Sequence, residues 1–270
     1  MQEVQQFTFH RDELFPLADS LRPKFLTASP FRHVVIDDFL PEHVLDPVLA
    51  EFPEPKDAGW QQFDSAKEVK LALQDTEQMG PATRNLLAEF NGQVFMEFLE
   101  RLTGIERLVS DPYLEGGGLH QIRSGGFLKV HADFNRHRRL DLDRRLNGLL
   151  YLNKDWDESY GGHLQLWNQD MSSCEHAVLP VFSRFVLFAT TDDANHGHPD
   201  PLTCPPDRAR RSMALYYYSN GRPDEEAKDD HTTLFKQRPG EKYKSNFRQV
   251  LKRWTPPALV DLAARRDRSK

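Results

Sequence analysis

The sequence predicts an α+β chain, with helices in its first hundred residues and a β-sandwich or barrel after them. Two observations carry this expectation. Up to about residue 103 apolar residues recur at helical spacing, and from about residue 119 the period falls to two, with short strand candidates parted by turn signals. A hydrophobic content of 39% over 270 residues is enough to bury a core of that size.

In chain order, the β-branched run in FRHVVIDDF reads as a strand ending at Asp37 and Asp38. Pro41 then opens a helix with Val44, Leu45, Val48 and Leu49 on one face. Residues 81–103 read as one long amphipathic helix, packed on a sheet through Leu86, Phe90, Phe95, Phe98 and Leu99 and ended by Gly104. The strand candidates LHQI, FLKVHAD, LNGLLYLN, HLQLW, VFSRFVLFAT and RRSMALYYY follow, and ANHGHP reads as a loop at a strand end. From Gly221 the chain turns polar, with one helix expected around Asn246 to Trp254 and a basic end, ARRDRSK. The expected organisation is a single domain over 1–220, with a strand/helix part at about 1–118 and a β core at about 119–220, followed by a charged appendage over 221–270 that serves as a lid or a homodimer contact.

Bulk properties narrow the function. Lys and Arg number 35 against 41 Asp and Glu, and a formal charge of −6 argues against a general nucleic-acid binder, which needs a basic surface to displace counterions. The N-terminal MQEVQQFTFHRDELF carries charge where a secretory signal needs an apolar centre, and wholly apolar runs such as Phe185 to Ala189 are too short to span a bilayer. A soluble, cytoplasmic protein with no membrane partner is expected. Cys174 and Cys204 are the only cysteines, so a thiolate cage is excluded and any metal must rest on His and carboxylate donors.

His131 and Asp133 supply such donors. They are two residues apart in a strand-like run, so both side chains leave the same face. A distant His on a neighbouring strand end, His196 or His198, would complete a triangular face. Two His and one carboxylate leave three positions open, the donor set of a non-haem Fe(II) that takes a chelating co-substrate and oxygen. Shortly afterwards comes an Arg-bearing strand, Arg210 to Tyr218, and a charge buried there needs an anionic partner.

The strand HAD, the segment LLYLNKDWDESYGGHLQLW, the loop ANHGHP and the strand RRSMALYYY stand in an order that resembles the prolyl-hydroxylase-like branch of the 2-oxoglutarate and Fe(II)-dependent dioxygenases, over roughly residues 30–220. The resemblance implies a double-stranded β-helix, a jelly-roll or cupin-like core with helices packed on one sheet. It implies Fe(II), 2-oxoglutarate and O2 as cofactors, with ascorbate an optional addition, and hydroxylation of an amino-acid, peptidyl or small biosynthetic substrate with release of succinate and CO2. Carried over by position, His131, Asp133 and His196 are the iron ligands, and His196 is preferred to His198 because the family's distal His begins the short motif after the strand. Arg210 matches the family's grip on the remote carboxylate of 2-oxoglutarate, and Tyr151 matches a tyrosine that donates to the same group. Strand alternation allows only one of Arg210 and Arg211 to face inward, and the small Ser212 and Ala214 on the first one's face select Arg210. The sequence departs from several relatives in placing Phe127 and Leu128 where a tyrosine precedes the first metal His. Related halogenases lack the carboxylate ligand, so Asp133 favours oxygenation.

Other readings attach to nearby residues. The stretch Arg136 to Arg145, with five Arg and two Asp, is either a steering patch for an anionic substrate or a solvated connection. Phe134, Asn135 and Trp167 are candidates for the substrate side. Two other classes compete: a cupin-like metal protein that binds or isomerises a small ligand without oxygen, and a β-sandwich interaction domain without metal.

Overall fold

The computed structural model describes residues 7–223 and 229–242. The helix expected around Asn246 to Trp254 and the basic end lie outside the described residues. In chain order the elements are α1 (Arg11–Thr27), β1 (His33–Ile36), α2 (Glu42–Ala50), β2 (Gln61–Asp64), β3 (Glu68–Leu73), α3 (Pro81–Phe90), α4 (Gln93–Thr103), β4 (Leu108–Ser110), β5 (Gly118–Arg123), β6 (Phe127–Ala132) and β7 (Arg136–His137). There follow β8 (Leu142–Tyr151), β9 (Leu164–Trp167), β10 (Cys174–Val178), β11 (Phe185–Ala189), β12 (Asn195–His198), β13 (Ala209–Ser219) and β14 (Leu234–Phe235).

The strands hydrogen-bond antiparallel along one path, β1-β11-β8-β13-β5-β3-β6-β12-β9-β10. This path curls into the jelly-roll barrel. Its two ends come together through side chains, with the His33 and His176 rings 5.0 Å apart and Ser29 Oγ donating to Glu175 at 2.7 Å. Alternation along β11 shows the two faces. Phe185 and Leu187 join the large apolar core under the helices, whereas Val186 and Phe188 point into the barrel beside Tyr151, Leu164 and Leu166. Phe90, Phe95 and Phe98 of α3 and α4 fill the outer side, packing with Phe39, Phe185 and Tyr217, so the helices cover one sheet as the sequence predicts.

Gly148 on β8 shows how closely this outer layer is packed. A Cβ there would lie 2.8 Å from the Phe185 ring. Gly148→Ala is expected to cost about 1–3 kcal/mol of stability, read as a lowered denaturation midpoint, because the ring has no free space to retreat into.

Two expectations need correction, and one helix carried no expectation. The single helix over 81–103 is two, because the turn at Asn91 and Gly92 breaks it while the apolar stripe continues on the same side. Helix α1 is not legible, since Pro16 and Pro23 lie inside it; it is held by packing of Leu14, Ala18 and Phe25 and by ion pairs to α4, Arg101 with Asp19 and Arg11 with Glu97. The presumed loop ANHGHP contains strand β12, paired on both sides, with His196 opposite His131 on β6 and opposite Leu166 on β9. Asn, Gly and His are poor strand formers, and here the two neighbouring ladders override that preference. Among the described residues, no helix is long and apolar enough to cross a membrane.

Candidate metal centre

His131 near the end of β6 and His196 on β12 face each other across one rung of the ladder, and their rings lie 4.4 Å apart. Asp133 follows just beyond β6. Its Oδ1 is 3.4 Å from His131 Nε2 and its Oδ2 is 3.4 Å from His196 Nε2. The three donor atoms lie within 4.8 Å of one another, and all three residues are buried.

The tautomers follow from the backbone. His131 Nδ1 is 2.9 Å from the carbonyl oxygen of Lys129, and His196 Nδ1 is 2.8 Å from that of Ala194. A carbonyl only accepts, so in each ring Nδ1 carries the proton and the Nε2 lone pair faces the carboxylate. Lone pairs aimed at a carboxylate repel it unless a cation stands between them. Burial, followed by the neighbouring His131, pushes His196 down to about 4, which keeps it neutral as a metal ligand must be. Burial opposes the charge on Asp133, yet the Arg144 guanidinium beside it holds its carboxyl well below the usual carboxylate range.

Arg144 was not legible as part of the site. It belongs to the stretch read as a steering patch or a solvated connection, yet it is fully buried. Its Nη2 donates to Asp133 Oδ2 at 3.2 Å and its Nε to Asn147 Oδ1 at 2.8 Å, while Asn147 Nδ2 donates to Asp133 Oδ2. The guanidinium lies between the Phe134 and Tyr216 rings, 4.4 and 3.4 Å from their centroids. Arg144 and Asn147 are three residues apart, an odd spacing for one strand face. A register shift makes it possible, since Tyr217 pairs with Leu146 and Tyr218 with Arg144.

Arg210 and Tyr151 occupy the same inner face, because Ser212 on β13 is opposite Tyr151 on β8 and Arg210 is two residues from Ser212. Arg210 is 4% exposed; its Nε donates to the Gly162 carbonyl at 2.8 Å and its Nη2 to Tyr151 Oη at 3.1 Å. Burial raises the Tyr151 pKa against the opposing pull of Arg210, so the hydroxyl keeps its proton. Arg211 leaves the other face and pairs with Glu54 at 3.1 Å.

The mouth of the barrel is a cavity of ≈ 170 Å³ lined by Phe63, Lys70, Phe134, Tyr216, Thr233 and Phe235 together with the inner His131 and Asp133. Phe235 comes from β14, which pairs with β6 and brings its ring 5.6 Å from that of His131. Asn135 ties the same segment down, accepting from His231 N and donating to the Asp229 carbonyl, both at 2.9 Å. Trp167 borders a separate cleft with Cys174 and Arg238.

Residues 117–218, which contain all five residues singled out from the sequence, match the family model of the 2OG-Fe(II) oxygenase superfamily. Over this stretch the chain is similar to the 2OG-Fe(II) oxygenases. Solved structures agree on its fold. A prolyl hydroxylase from Trichoplax adhaerens, solved with a peptide fragment of the hypoxia inducible factor oxygen degradation domain, superposes with a TM-score of 0.59 at 18% identity, over 80% of this chain and 94% of that one. A Pseudomonas putida prolyl-4-hydroxylase gives 0.51 at 20% identity, over 77% and 100%. A prolyl 4-hydroxylase from Phytophthora capsici gives 0.53 at 21% identity, over 80% and 68%. No curated protein sequence matches significantly.

The iron and 2-oxoglutarate of this oxygenase family fit the residues present. Two imidazoles with their Nε2 lone pairs turned inward and one ionised carboxylate make the donor set of non-haem Fe(II). Deeper in the barrel, Arg210 has Tyr151 and a backbone carbonyl as its hydrogen-bond partners, which leaves its positive charge for an anion.

Proposed function

We propose that this oxygenase hydroxylates a C–H bond of a peptidyl, amino-acid or small biosynthetic substrate, consuming 2-oxoglutarate and O2 and releasing succinate and CO2. His131, Asp133 and His196 hold the iron, and Arg210 with Tyr151 takes the remote carboxylate of 2-oxoglutarate. The observation that carries this reading is the pair of backbone carbonyls that turn both Nε2 lone pairs toward one carboxylate. Bound there with 2-oxoglutarate, Fe(II) would activate O2, the oxidant that breaks an unactivated C–H bond.

The protein's part is placement. Arg210 and Tyr151 orient the keto acid from its far end, so that its chelating end meets the triad. Arg144 and Asn147 both bond Asp133 Oδ2, which restrains the carboxylate and leaves Oδ1 toward His131. Phe63, Phe134, Tyr216 and Phe235 exclude water from the mouth and offer ring faces to a substrate. A peptidyl substrate draws support from the peptide-bound Trichoplax structure, which shares the fold. The buried Arg210 argues against a cupin-like protein working without a dianionic co-substrate.

Anaerobic Fe(II) followed by 2-oxoglutarate is expected to develop the weak visible charge-transfer band of a chelated keto acid. Admission of O2 with a pool of peptides and amino acids is then expected to yield succinate and a product heavier by one oxygen atom. With neither band nor succinate, the reading fails.

A further inference from the structure

Within the barrel, one buried side chain has no role in the site described so far. His198 is 3% exposed, and both its ring nitrogens are buried without a hydrogen-bond partner among the described residues. His131 and His196 each spend Nδ1 on a carbonyl two residues earlier, and His198 does not. Buried imidazole nitrogens are normally bonded, because the water they give up must be replaced. His198 therefore faces something the protein alone does not supply.

Its position says what that is. Alternation along β12 puts His198 on the inner face with His196, and Gly197 between them lies so close to β6 that a Cβ would come within 2.8 Å of the Leu128 carbonyl oxygen. Gly197 is opposite Gln165 on β9, which runs from just beyond Gly162, the residue whose carbonyl Arg210 bonds; the groups that bear most on His198 are Arg210 first, then Lys70, His131 and His120, all basic. Register places most of these on the same inner wall. His120 on β5 is opposite Ser212 on β13 and opposite Ala72 on β3, and Lys70 is two residues from Ala72. Lys70 has Glu68 at 3.1 Å to balance it, and His120 is bonded to the Gly116 carbonyl at 3.1 Å. At the Arg210 end, Tyr151 Oη accepts from Arg210, so its own hydrogen is left for an acceptor. A carboxylate offers about four lone-pair positions, and a two-pronged contact from Arg210 with one bond from Tyr151 fills three of them.

The geometry points to His198 as a third donor to the remote carboxylate of 2-oxoglutarate, completing a grip of Arg210, Tyr151 and His198 on that group. A neutral imidazole brings one N–H to the carboxylate and leaves one lone pair for a neighbouring donor. The inference rests on the proposed co-substrate, and its consequence is selectivity for keto acids that carry a second, remote carboxylate.

The test uses the full chain loaded with Mn(II), which binds without turning over, and measures calorimetric dissociation constants for 2-oxoglutarate and for oxalate, a chelator with no remote carboxylate. His198→Val is expected to weaken 2-oxoglutarate about tenfold or more, with oxalate affinity and Mn(II) stoichiometry unchanged. His198→Gln, which keeps an N–H donor, is expected to recover part of that loss and guards against a packing defect in the Val variant. Unchanged 2-oxoglutarate affinity in both variants overturns the proposal, as does an equal loss for oxalate. Loss of Mn(II) stoichiometry would make His198 a metal ligand. If the unsubstituted protein binds Mn(II) and oxalate but not 2-oxoglutarate, the co-substrate reading itself has failed.

Discussion

Asp133→Ala is expected to abolish stoichiometric iron and succinate formation, and also to destabilise the metal-free protein. The second effect comes from Arg144. Its guanidinium is fully buried, with Asp133 as its ion-pair partner, Asn147 as a neutral acceptor, and the Phe134 and Tyr216 rings on its flanks. Removing one partner of a buried pair leaves the other charge without compensation, at a cost of about 3–5 kcal/mol. For a domain of this size that lowers the thermal midpoint by roughly 10 °C. Adding Arg144→Met to Asp133→Ala is expected to recover most of the lost midpoint while iron binding stays lost, since the charge disappears and its aromatic slot still takes an apolar chain. Calorimetry and metal analysis on the four proteins of this cycle check both halves. Equal midpoints for Asp133→Ala and the unsubstituted protein would show that Arg144 does not depend on the carboxylate.

Arg210→Met is expected to raise the KM for 2-oxoglutarate about a hundredfold while iron stoichiometry holds. A buried charge-assisted pair to a carboxylate contributes about 2–5 kcal/mol to binding, and the side chain has no acidic partner among the described residues to soften the loss. Arg211→Ala serves as the control. It leaves the outer face beside Glu54, whose side chain is 54% exposed, and its pairing there contributes little. Succinate release as a function of 2-oxoglutarate concentration separates them. The opposite outcome, with Arg211→Ala raising KM, would invert the assignment of the strand face.

Much of the candidate site was legible because strands write their faces into the sequence with a period of two. His131 and Asp133, and Arg210 with Ser212, could be assigned to common faces on that ground alone, and in the structure each pair does face inward. Arg144 and Asn147 were hidden because a register shift breaks the period, and neither spacing nor charge distinguishes such a shift from a surface turn. Strand β3, with Lys70, was missed because EVKLAL carries charges at two of its first three positions, the mark of an exposed segment rather than a barrel wall. The strand character of Asn195 to His198 was hidden by its composition, since it depends on what stands on either side.

The way the sheet path closes bears on where the molecule can breathe. Its ends, β1 and β10, meet through the His33 and His176 rings and the bond from Ser29 to Glu175, with no backbone ladder between them. The strands that carry His131, His196, Tyr151 and Arg210 each have a laddered neighbour on both sides. Local opening at the seam therefore breaks side-chain contacts but none of the backbone hydrogen bonds that set the ligand spacing. The seam lies two ladders from β8 on one side and two from β12 on the other, so opening there is separated from the site residues by an intact strand on each side.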